Sequence, residues 1–114
     1  MKRVVVLVRR APLASGATAE AFRVAVGMTL GDHEVTVLYI DDGAGAAAEL
    51  QPALAGGSDI SEALSLFGPC HVREAVESAS LQQAHVAKAR RGVELIDRPS
   101  ALSLLSGADV LLAV

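Results

Sequence analysis

An α/β three-layer sandwich on a five-stranded, mostly parallel sheet is the fold this sequence predicts, and three observations carry that prediction. Short apolar runs rich in Val, Leu and Ile alternate with segments of helical periodicity, in the order βαβ(α)αβαβαβ. Each strand-to-strand connection is long enough for the helical crossover that parallel neighbours require. The composition is 52% hydrophobic but only 3% aromatic, so a core must be filled by Val, Leu, Ile and Ala, a supply that suits helices packed on a sheet.

The elements follow in order. Val4 to Val8 is an unbroken apolar run without alternation, the pattern of a strand buried on both faces. Phe22, Ala25, Val26, Thr29 and Leu30 recur at helical spacing, which predicts a helix from about Ala17 to Leu30, ending near Gly31. His33 to Ile40 reads as the second strand and stops at Asp41-Asp42-Gly43. Ala44 to Gly57, rich in Ala and Gly with Pro52 inside, is either a broken helix or a mobile loop. Ser58 and Asp59, with Glu62, suit the start of a helix whose apolar stripe is Ile60, Ala63, Leu64 and Phe67.

A short third strand is expected at Cys70 to Val72, then a helix from about Glu74 to Ala89. Gly92 to Ile96 is the fourth strand, Asp97-Arg98-Pro99 opens a last short helix, and Ala108 to Val114 is the fifth strand.

At 114 residues and 11.7 kDa, the chain has the length of one domain. Its net charge of −3 and scattered basic residues argue against a nucleic-acid partner. The sequence has no apolar stretch near the ~20 residues that span a bilayer, so no membrane partner and a cytoplasmic location are expected. A single cysteine, Cys70, excludes an internal disulfide framework and a multi-cysteine metal site. His33, His71 and His85 stand in no metal-ligand spacing, and neither a metal nor a cofactor is expected.

In parallel sheets the functional loops lie beyond the carboxyl ends of the strands. The predicted ends carry Arg9 and Arg10, Asp41 and Asp42, Arg73 and Glu74, and Asp97 and Arg98. With Ser15, the residues Arg9, Arg10, Asp41, Asp42 and Arg73 form a candidate rim or anion site. The bland reading is that Arg9 and Arg10 pair with Asp41 or Asp42, and that Gly43 supplies a tight turn. The first loop holds one glycine, Gly16, and neither of the phosphate-loop fingerprints. Cys70 is the one candidate nucleophile, but its place at the amino end of the predicted third strand favours a buried, inert thiol.

Together, Arg10-Ala11-Pro12-Leu13-Ala14-Ser15-Gly16, the Glu20 to Ala25 helix segment, Asp41-Asp42-Gly43 and the closing "GVELIDRPSALSLLSGADVLLAV" resemble the DsrE/DsrF-like family of sulfur-relay proteins. The resemblance implies a three-layer α/β/α domain assembling as a homo-oligomer, a trimer or hexamer, or as a hetero-oligomer with related subunits. It also implies, in working members, a persulfide-carrying cysteine just after strand three. With strand three at Cys70 to Val72, that position falls near Arg73, Glu74 or Ala75, where no sulfur stands. The chain therefore looks more like the DsrF/TusC branch, whose members act as partner subunits without the relay cysteine. Two alternatives remain open: a sulfurtransferase using Cys70, and a small-anion or nucleotide-binding module using the Arg10 to Thr18 loop.

Overall fold

The computed structural model describes residues 1–9, 17–48, 58–86 and 88–113. Its strands are β1 (Arg3–Val8), β2 (Glu34–Tyr39), β3 (Arg73–Glu77), β4 (Val93–Ile96) and β5 (Val110–Ala113). Its helices are α1 (Ala17–Met28), α2 (Ser58–Phe67), α3 (Ser78–Gln83) and α4 (Arg98–Ser106). A 3-10 turn at Thr29–Gly31 finishes the first helix, and a 3-10 segment at Asp41–Ala47 follows β2. The strands form one sheet in the order β4-β3-β2-β1-β5, and every neighbouring pair is parallel.

That order explains the two unequal faces. From β1 to β4 the chain steps one way across the sheet; to reach β5 it must turn back past β1. When every crossover keeps the usual right hand, a reversal of direction sends the connecting helix to the opposite face. One core accordingly joins Val4, Val6, Val8, Val37 and Val76 of the sheet to Phe22 of α1, Phe67 of α2 and Leu81 of α3. A smaller one joins Val5, Leu7, Leu38 and Ala75 to Ala101, with Leu104 and Leu105 of α4 half-buried against it. The unbroken Val4–Val8 run is thus apolar on both sides because both sides are covered, and all five residues are buried. Phe22 centres the larger core, edge-on to both Phe67 and Tyr39.

Two expected elements move. The third strand lies at Arg73–Glu77, beyond the expected Cys70 to Val72, and only Ser78–Gln83 of the expected Glu74 to Ala89 helix is helical. Arg73, Glu74 and Glu77 favour a helix by propensity, but tertiary partners hold Glu74 and Glu77 in the sheet. The Asp41–Ala47 part of the ambiguous Ala/Gly-rich stretch is 3-10 helical, and 49–57 lie outside the described residues. The last helix starts as its sequence dictates: Asp97 accepts from the Ser100 N–H at 2.9 Å, with Pro99 in the first turn. No helix among the described residues is long and apolar enough to cross a membrane.

Candidate functional site

The carboxyl ends of β1 to β4 are joined by one run of polar contacts. Arg9, just past β1, reaches Asp41, just past β2, at 3.7 Å. Asp41 takes a left-handed backbone with φ of 51°, and its N–H donates to Ser80 Oγ at 2.8 Å. Ser80, in α3, donates in turn to Glu77 Oε1 at 2.6 Å. Glu77 ends β3, and Arg98 of α4 grips both of its oxygens, Nε to Oε2 at 3.0 Å and Nη2 to Oε1 at 3.2 Å. The Glu77 side chain is 3% exposed. The hydroxyl of Ser80 and the Arg98 guanidinium hold its carboxyl below the usual carboxylate range, against the opposing pull of burial.

Gly43 belongs to this seam for a reason other than the expected turn. A Cβ there would lie 1.9 Å from the carbonyl oxygen of Val8. The 3-10 segment therefore rests directly on the end of β1, and the left-handed residue in the turn is Asp41.

Chemically, the seam is matched and closed. Glu77 is held ionised, which makes it a weak base, and Ser80 is buried with its proton committed to that carboxylate. Among the described residues of the seam, the outer sides of Arg9 and Arg98 and the carboxylates of Asp41 and Asp42 face solvent.

A second polar cluster lies inside the three-helix core. Arg90, between α3 and β4, pairs with Glu74, and the two side chains are 12% and 10% exposed. Tyr39 donates its hydroxyl to Glu74 at 2.5 Å and accepts from Arg90 at 3.1 Å. Arg90 also gives its backbone N–H to Ala47 O at 2.8 Å and its guanidinium to the carbonyls of Ala46 and Ala48. Its carbon lies 5.8 Å from the ring centres of both Phe22 and Tyr39. Burial, then the neighbouring Glu74 charge, pushes the Tyr39 hydroxyl well above its ordinary range. The sequence reading missed this cluster: "KARRG" looks like a solvated basic run, and nothing local marks one arginine as buried.

The candidate residues fall into three groups. Arg9 and Asp41 meet at the rim, as the bland pairing anticipated, with Asp42 exposed beside them. Arg10 and Ser15 lie outside the described residues. Arg73 and Glu74 are a correction: they open β3 instead of following it, so both leave the carboxyl rim. Arg73 sits at the other end of the sheet, near Glu34 at 3.7 Å and Glu94 at 3.8 Å. Cys70 is also at that far end, half-buried in the turn between α2 and β3, with its N–H donating to Leu66 O at 2.9 Å. His71 follows it in a left-handed turn with φ of 60°, outside the strand in which it was expected.

A scan against protein-family models finds no match, and neither does a search of curated proteins. Among solved structures, the chain is similar to the ychN protein from E. coli, with a TM-score of 0.81 and 17% identity over 100% of both chains. At that identity the likeness is one of fold, and it agrees with the DsrE/DsrF-like architecture expected from the sequence motifs.

Proposed function

We propose that this chain is a non-catalytic, oligomer-forming partner subunit of DsrE/DsrF-like type in intracellular sulfur relay. The reading draws on the sequence resemblance and the shared fold, but its weight rests on one feature of the site. The exit from β3, where the resemblance puts the relay cysteine, is Glu77-Ser78-Ala79-Ser80. Redrawing β3 moves that position from Arg73–Ala75 to Ser78–Ser80 and still leaves it without sulfur. A buried carboxylate locked to Ser80 and Arg98 fills the place instead. The lone thiol, Cys70, belongs to the opposite end of the strands.

The alternative, a sulfurtransferase using Cys70, makes the opposite forecast for sulfur loading. Treated with a persulfide donor and weighed intact, the wild-type chain should keep its mass. An adduct of about 32 Da, one sulfur atom, that Cys70→Ser abolishes would overturn the proposal.

A further inference from the structure

Among the described residues, Thr18 Oγ1 is the one buried side-chain polar atom without a hydrogen-bond partner. The residue is 1% exposed and belongs to the first turn of α1, the twelve-residue helix that follows β1. Other hydroxyls in the helical segments donate to the carbonyl three residues back, as Thr29 does to Val26 and Ser65 to Glu62, each at 2.6 Å. Thr18 is the second residue of its helix, so α1 holds no residue three positions back for it. A buried hydroxyl left in this state calls for an explanation. Its direction follows from the helix. Thr18, Ala21, Phe22 and Ala25 lie three and four residues apart and are all buried, so Thr18 stands on the stripe that packs on the sheet. Side chains tilt toward a helix's N-terminus, and that of Thr18 therefore leans into the corner between the first turn of α1 and the carboxyl end of β1.

That corner collects donors. The first N–H groups of a helix have no acceptor within it, and the helix dipole is positive there. Arg9, the first residue beyond β1, has a side chain 61% exposed, and at 3.7 Å from Asp41, outside hydrogen-bond range, its guanidinium keeps its hydrogen bonds to give. Thr18 adds a hydroxyl that can donate as well. We propose that the first turn of α1, Thr18 and Arg9 bind one small tetrahedral oxyanion of the phosphate class. The stretch between β1 and α1 carries neither glycine fingerprint of a polyphosphate loop, so the site suits a single phosphate group, free or carried on a small ester. Asp41 is a built-in competitor, because its carboxylate lies against the same arginine that the anion needs. The inference does not depend on the sulfur reading: it survives if Cys70 proves reactive, and sulfur loading does not test it.

Titration with inorganic phosphate at constant ionic strength, followed through the backbone amide signals of the isotope-labelled chain, is the test. The wild type should show saturable shifts centred on the first turn of α1 and on Arg9. Thr18→Val keeps the side-chain shape and removes the hydroxyl, so it should weaken phosphate binding at least about tenfold. The same substitution should raise the unfolding temperature of the phosphate-free chain, because it removes a buried polar group that has no partner. Thr18→Ser should keep the binding. Asp41→Asn, a residue that also accepts the left-handed backbone, should tighten it by releasing Arg9. Adenosine monophosphate, titrated in parallel, separates the two sources: binding tighter than that of inorganic phosphate marks an ester as the ligand, and equal or weaker binding marks the free anion. Circular dichroism confirms that each variant is folded. No saturable shift at α1 with either probe, or undiminished phosphate binding by Thr18→Val, would overturn the inference. So would a lower unfolding temperature in Thr18→Val, since it would show that the hydroxyl already serves the fold.

Discussion

Glu77 and Tyr39 are the two residues whose surroundings make the sharpest forecasts. The carboxyl of Glu77 titrates below its unfolded value, so the stability it contributes is fully present above the unfolded carboxylate pKa of about 4.3 and is lost as pH falls through the lower, folded value. Ser80→Ala removes the largest cause of the depression and leaves a buried carboxylate oxygen short of a donor. It should cost about 1–3 kcal/mol at neutral pH and raise the pH of the acid-unfolding midpoint, both read by circular dichroism. Tyr39 has the opposite sign. Its folded pKa is raised, so its contribution is intact below the unfolded value of about 10 and is lost as pH climbs beyond it. Because Tyr39 is the sole tyrosine, tyrosinate absorbance reports on it alone. That absorbance should rise together with unfolding, not ahead of it, and an early rise in the native chain would contradict the burial described.

Among the elements, the 3-10 segment Asp41–Ala47 depends most on residues distant in sequence. Ser80 holds its first N–H, Val8 lies against Gly43, and Arg90 binds the carbonyls of Ala46, Ala47 and Ala48. Arg90→Ala should destabilise the chain by about 3–5 kcal/mol, because it leaves Glu74 buried without its cation. Arg90→Met with Glu74→Leu should cost much less in global stability, yet still strip hydrogen-exchange protection from Asp41–Ala47. Gly43→Ala should cost at least about 1–3 kcal/mol in denaturant unfolding, since the added methyl meets a backbone carbonyl that has little room to move.

This dependence also marks what the sequence disclosed. Strands β1 and β2, with their β-branched runs, and α1 and α4, with their apolar stripe or capping residues, were legible because local signals and burial agree. β3 was not, because "REAVE" carries helix-forming charges whose ion-pair partners, Arg90 and Arg98, are remote in sequence. At the site, Arg9 and Asp41 were readable from strand ends alone, whereas Ser80, Glu77 and Arg98 emerge only once β3 is correctly bounded.

For the whole molecule, the two faces separate two kinds of role. Three helices seal one side around Phe22 and lock the rim through the Asp41–Ala47 segment. On the other side, α4 covers a smaller core of Val5, Leu7, Leu38 and Ala75. Among the described residues, neither the rim nor the α4 face presents an activated nucleophile, and Cys70 lies at the far end of the strands from the rim and packs against the larger core. This accords with the proposed role as a non-catalytic subunit. That role requires that the native fold does not equip Cys70 to carry sulfur. The most direct measurement is the rate at which Cys70 takes sulfur from a persulfide donor, in the native chain and in the chain unfolded by denaturant. Partial burial predicts no measurable uptake by the native chain and uptake only once it is unfolded. Uptake by the native chain at a rate equal to or above the unfolded one would mean that the fold exposes or activates the thiol, and would contradict the proposal.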